Sequence, residues 1–159
     1  MPVEIRTTTL DDARTISVLN ADVQQAHADA HPWRFKPPGP HTFSEKDAKD
    51  LLGNPGYFAF LAFDEGAPIG YLVGEVVHRT ETPRLFAYDL IYIHEIGVRP
   101  FARRKGVGGS LLDAAEAHGR SLGIRTIALD AWSFNEGALH FFQKKGLVPF
   151  NVRLWNRGK

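Results

Sequence analysis

Cysteine is absent from the 159 residues. Its absence removes a disulfide framework, a thiolate nucleophile and Cys-ligated zinc from consideration. No stretch approaches transmembrane length, and the opening MPVEIRTTTL lacks the apolar core of a signal peptide. The expectation is a soluble, cytoplasmic chain with no membrane partner. Excess charge is missing too: the net charge is +1, which argues against a general nucleic-acid partner. There is no internal repeat, low-complexity segment or linker, so residues 1–159 are expected to form a single domain. The histidines lack ligand spacing. His94-Glu95 is followed by Val98 where a zinc-protease motif needs its second histidine, so no metal is expected.

What is present reads as alternating strands and helices. Val3 to Thr8 forms a first strand, and Thr9 with Asp12 gives a capping-box-like helix start. Ala13, Ile16, Leu19 and Val23 follow at helical spacing, and Pro32 ends the helix near His31. Ser44 with Asp47 starts a second helix, which Gly53 stops. Tyr57–Phe63 and Ala67–His78 are hairpin strands around Asp64-Glu65-Gly66. Phe86–Val98 is a long strand, interrupted at Gly97. A third helix carries Leu111, Leu112, Ala115 and Leu122. Ile124–Trp132 is a strand. Ser133 and Glu136 box the start of a fourth helix that runs to Lys145, and Leu147–Trp155 is a last strand. This order predicts an α/β (α+β) domain around a mixed sheet.

The segment VRPFARRKGVGGSLL, from Val98 to Leu112, concentrates four cations and three glycines before a helix. Glycines between a strand and a helix let backbone N–H groups converge on an anion. The helix N-terminus and the nearby Arg and Lys add positive charge. A phosphate-bearing ligand fits there. A P-loop does not, because Ser110 follows Gly109 with no lysine between. A dinucleotide fingerprint fails at Leu111, where a third Gly or Ala is needed. A plain solvated basic turn also fits the spacing.

Val98-x-Pro100-x-x-Arg103-x-x-Gly106-x-Gly108 resembles the acetyl-CoA signature of the GNAT superfamily of N-acetyltransferases. Asn135-Glu136-Gly137-Ala138-Leu139-His140-Phe141-Phe142-Gln143-Lys144-Lys145-Gly146-Leu147 is similar to that family's fourth-helix motif. The hairpin AFDEGAPIGYLVGEV looks like its second and third strands. The resemblance implies a mixed, mostly antiparallel sheet, splayed between the fourth and fifth strands and flanked by about four helices. It implies acetyl-CoA as co-substrate. The pantetheine arm would pair with backbone at Ile96, Gly97 and Val98. Arg103, Arg104, Lys105, Gly106, Val107, Gly108, Gly109 and Ser110 would hold the pyrophosphate. Asn135, Ala138 and Phe142 would lie along the arm. Apart from the resemblance, Lys144, Lys145 and Arg153 read either as cations for the 3′-phosphate or as a solvated helix face and strand end. Two positions depart from the pattern. Arg104 stands where glycine is usual, which is tolerable if its φ stays below zero. Phe142 stands where many members carry a tyrosine that protonates the leaving thiolate, and phenylalanine has no proton to give.

Acetyl transfer to an amine needs a group that removes a proton. Strand alternation puts Tyr92, His94, Ile96 and Val98 on one face and Glu95 on the other, unless a bulge at Gly97 exchanges them. His94 is the first choice as base, because imidazole exchanges protons near neutral pH, and Glu95 is the second. His94 also reads as a structural histidine of the sheet. Trp33 and Phe35, with Tyr92, are candidate walls of the acceptor site; both rings could equally cover the core. The acceptor is a small-molecule or peptide amine, and a homodimer stays open. Two rival readings remain: a non-catalytic CoA-binding sensor, motivated by Phe142, and a nucleotide- or nucleic-acid-binding domain using the basic loop.

Overall fold

The computed structural model describes residues 2–158. Five strands form one sheet: β1 (Glu4–Thr7), β2 (Tyr57–Asp64), β3 (Ala67–Arg79), β4 (Tyr88–Val98) and β5 (Ile127–Leu129). They lie in the order β1-β2-β3-β4-β5. The first four are antiparallel neighbours, and β5 joins β4 in parallel. Four helices flank the sheet: α1 (Ala13–Ala30), α2 (Glu45–Leu52), α3 (Val107–Ser121) and α4 (Glu136–Lys144). The mixed, mostly antiparallel architecture is the one expected.

Local chemistry sets the helix starts. Asp12 accepts from the Thr9 backbone N–H at 2.7 Å and takes two bonds from the Arg6 guanidinium at 2.8 Å each. This box places α1, whose Ala13, Ile16 and Leu19 are buried. Ser44 and Asp47 form a second capping box before α2. The β2–β3 turn needs left-handed backbone, with Gly66 at φ 79°.

Each sheet face has its own core. On one face Leu72, Ile91 and Ile93 pack with Val107, Leu111, Leu112 and Ala115 of α3 and Phe142 of α4. On the other, Leu61, Tyr71 and Val73 pack with Ile16 and Leu19 of α1 and Ala48 of α2. The apolar stripes of α1 and α3 thus face opposite sides of β3 and β4. That layout leaves the ends of β4 and β5 as the place where both layers meet.

Three expectations are corrected at the C-terminal end. β5 is only Ile127–Leu129 rather than Ile124–Trp132. α4 begins at Glu136 with Asn135 as its cap, the side chain accepting from the Ala138 N–H at 3.1 Å, so Ser133 is not the cap. Leu147–Trp155 forms no strand. Val148, Phe150, Val152 and Leu154 alternate as a strand would, yet all are exposed. Alternation marks a strand only when a neighbouring ladder receives it, and this segment has none. It runs instead to Trp33, on which Trp155 stacks at 5.4 Å.

Candidate active site

The site is built around an irregularity in β4. Val73 pairs with Glu95, while the next residue, Gly74, pairs with Ile93. His94 therefore has no partner of its own and is a β-bulge. Ile91 and Ile93, before it, belong to the α3-side core, and Ile96 and Val98, after it, pack against the same core. His94 and Glu95 both fall on the opposite, α1-side face with Tyr92. This corrects the expected split of His94 and Glu95, and it puts the bulge at His94 rather than Gly97. At Gly97 the backbone passes close to α1: a Cβ there would lie 2.7 Å from both the Tyr71 ring and Val23.

The bulge gathers acid–base groups from three strands. His94 Nε2 meets Glu75 Oε2 at 2.6 Å. The Tyr57 ring stacks on the imidazole at 5.0 Å, and Tyr92 meets it edge-on at 4.8 Å. With the Nε2 proton directed at Glu75, Nδ1 is left with the free lone pair. Among the described residues no side chain bonds Nδ1. Tyr92 in turn donates to Asp130, just past β5. Burial and that carboxylate push the Tyr92 phenol up to about 12. Glu95 Oε2 accepts from Tyr71 at 2.7 Å and from Asn20 at 3.0 Å.

Beside this cluster the sheet opens. β5 pairs with β4 only across Ile91, Tyr92 and Ile93. From His94 to Val98 the far edge of β4 has no strand against it among the described residues. The Arg99 N–H bonds Ile69 O on the β3 side at 2.8 Å. Since successive residues alternate, Ile96 and Val98 direct their N–H and C=O groups to the open edge. The Val98 carbonyl is met there by Arg103 Nε at 3.2 Å.

The basic turn follows at once. Its first helical bond is Ser110 N–H to Gly106 O at 3.0 Å, so the amides of residues 104–109 have no backbone acceptor among the described residues. Orphan amides at the head of a 15-residue helix form a cradle for an anion. Gly106 is left-handed at φ 81°, and a Cβ there would meet nothing within 4 Å. Arg104 is left-handed too, at φ 62°. The condition for an unstrained arginine, φ below zero, is not met; the turn demands the glycine-like conformation, and arginine adopts it at a cost. Gly108 lies under the Phe141 ring, 3.3 Å from where its Cβ would be. Lys145 reaches back to α3 and pairs with Asp113 at 2.7 Å. The residues of the open edge and the turn thus fit an extended ligand that ends in phosphates. Phe142 is 7% exposed and packs in the α3-side core, with Ala138 beside that core.

Trp33 and Phe35 join an aromatic cluster rather than standing free. Phe35 packs on His27 at 5.0 Å and on Trp132 at 5.2 Å. Trp33 stacks on Trp155, with Arg157 at 4.0 Å from its ring centre. The cluster ties the end of α1 to the loop after β5. Sequence reasoning gave no place in this cluster to Tyr57, Glu75, Asp130, Asn20 or Tyr71. The one signal was alternation in β3, which places Glu75 and Tyr71 on the same side as Val73.

A mixed sheet parted between β4 and β5, with a turn of unpaired amides at its open edge, defines the class of domain. The acetyltransferase (GNAT) family model matches residues 20–147, and the chain belongs to that family. It is 26% identical over 120 residues to an uncharacterised N-acetyltransferase in the pepI 3′ region of Lactobacillus delbrueckii subsp. lactis, covering 74% of this chain and 66% of that one. It is 28% identical over 129 residues to mycothiol acetyltransferase of Propionibacterium freudenreichii subsp. shermanii, covering 79% and 39%. The chain thus spans less than two thirds of the length of these relatives. Among solved structures, a tetramutant of the BH1408 protein from Bacillus halodurans superposes with a TM-score of 0.91 at 21% identity, covering 96% and 98%. The aminoglycoside N-acetyltransferase AAC(6′)-Iy in complex with CoA gives 0.75 at 20%, covering 99% and 95%. These two likenesses concern the fold.

Proposed function

We propose that this chain transfers the acetyl group of acetyl-CoA to a primary amine of a small molecule or peptide. The observation that carries the reading is the adjacency of an oriented Glu75–His94 pair to the unpaired edge of β4 and the orphan amides beyond it. Ile96 and Val98 would pair with the extended arm, and the 104–109 amides with Arg103 would take the pyrophosphate. Acetyl-CoA supplies the activated acyl carbon. The acceptor arrives as an ammonium ion. One proton passes to His94 Nδ1, which frees the nitrogen lone pair to form the C–N bond as the C–S bond breaks. The second nitrogen proton goes to the departing sulfur, giving amide and CoA thiol; His94 returns its proton to solvent. Glu75 holds the ring and stabilises its charged form.

The test is CoA-thiol release with acetyl-CoA and a panel of spermidine, lysine, phenethylamine and a peptide with a free N-terminus. His94→Ala should lower kcat on the order of 10²–10⁴-fold while acetyl-CoA binding, read by calorimetry, persists. Arg103→Glu with Gly106→Asp should abolish that binding. Phe142, buried and without a hydroxyl, favours a second reading: a CoA-binding module without turnover. Acetyl-CoA binding with no thiol release from any amine would select it.

A further inference from the structure

Two buried polar groups have no part in the chemistry above. Asn20 lies on the core side of α1, after Ile16 and Leu19, and is 6% exposed; Tyr71 on β3 is 0% exposed. An amide and a phenol in such surroundings are costly unless fully bonded, and an apolar pair would fill the space without that cost. Their bonds converge on one atom. Asn20 Nδ2 donates to Tyr71 Oη at 3.1 Å and to Glu95 Oε2 at 3.0 Å; Tyr71 Oη donates to the same Oε2 at 2.7 Å. Burial and the adjacent Glu95 carboxylate push the Tyr71 phenol well up, so it stays a donor. Among the described residues no side-chain donor reaches Glu95 Oε1. The carboxylate is therefore anchored by one oxygen and open at the other. It lies on the same face as His94 and next to it in the chain.

We propose that Asn20 and Tyr71 are positioning residues that hold Glu95 as the receptor for the acceptor's ammonium group, with Oε1 taking its N–H. This rests on the acetyl-transfer reading. It divides labour across the bulge: Glu95 binds the cation and His94 takes its proton. The charged and titratable groups nearby are Tyr71 on β3, bonded to the carboxylate, His94, next to it on β4, and Asp22 on α1, whose charge bears on Tyr71 and which is tied to Arg99 at 3.1 Å.

The experiment is steady-state kinetics of Tyr71→Phe, Glu95→Gln and the double variant, using whichever panel amine turns over, from pH 5 to 9. Tyr71→Phe should raise the amine KM about tenfold, a fair loss for one charged hydrogen bond. The KM for acetyl-CoA and kcat should stay within about twofold. Glu95→Gln should raise the amine KM further. The double variant should be no worse than Glu95→Gln alone, since Tyr71 acts through Glu95. An unchanged amine KM in a folded Tyr71→Phe would overturn the assignment. So would additive effects in the double variant. Should Tyr71→Phe not fold, Glu95→Gln decides by itself: an unchanged amine KM overturns the proposal. No thiol release by the wild type with any amine would remove the transferase reading and this one with it, whereas turnover that Glu95→Gln leaves intact removes only this one.

Discussion

Replacing Asp12 with asparagine should cost about 2 kcal/mol of stability at neutral pH, and the cost should disappear in strong acid. The side chain is 11% exposed and takes two bonds from Arg6 at 2.8 Å. Those bonds outweigh the opposing effect of burial and, with the Thr9 amide, hold the carboxyl at about 2 against an ordinary 3.8. The sign follows. Above the unfolded value the folded chain keeps the carboxylate charged, and the contribution is complete. As pH falls the unfolded chain takes up its proton first, and the contribution is gone once pH has passed below the folded value of about 2. Urea unfolding of wild type and Asp12→Asn between pH 7 and 2 reads this directly. The gap should be level above pH 5 and shrink below 4. In a thermal melt at pH 7 it should amount to roughly 4–8 °C. A gap that persists undiminished at pH 2 would refute the charge argument and leave only lost packing. The box also fixes where α1 begins, and so the height at which Asn20 meets β4.

Arg104→Gly should raise stability by up to about 1 kcal/mol, because relief of the left-handed backbone outweighs the added freedom of the unfolded chain; a lower melting temperature would refute this. Gly97→Ala should cost about 1–3 kcal/mol through its clash with Tyr71 and Val23, and should raise the amine KM by displacing Tyr71. Tyr92 holds its proton to about 12. Its contribution is therefore complete below pH 10 and is lost as pH rises through about 12, and Tyr92→Phe should flatten that alkaline decline in stability.

Much of the fold was legible because local signals agreed with it. Thr9 with Asp12 and Ser44 with Asp47 mark helix starts that the backbone obeys, and the stripes of α1 and α3 name their buried faces. The basic turn was legible as well, because glycine spacing is written in sequence. The acid–base cluster was not. Glu75 on β3 and Tyr57 on β2 come to His94, and Asp130, just past β5, comes to Tyr92; no spacing along one strand announces that meeting. The last segment misled for the opposite reason. Its alternation is genuine, but a strand is a relation between two backbones, and sequence shows only one. The backbone of Arg104 was left open by its side chain: a residue type states a preference for φ, and here the turn overrules it.

A strand ordinarily counts by twos. β4 breaks that count once, at His94, and the break reverses parity for everything after it. Ile96 and Val98 are apolar neighbours of α3 only because an odd residue was spent upstream. Keep every residue but make the strand regular, and Gly97 would turn toward α3 while Ile96 and Val98 turned toward α1. Take His94 out instead, and the ladder would close with Val73 and Gly74 facing consecutive residues, leaving Ile96 and Val98 toward α3. The bulge thus adds one reactive side chain to the strand while the apolar positions on either side of it keep a single face.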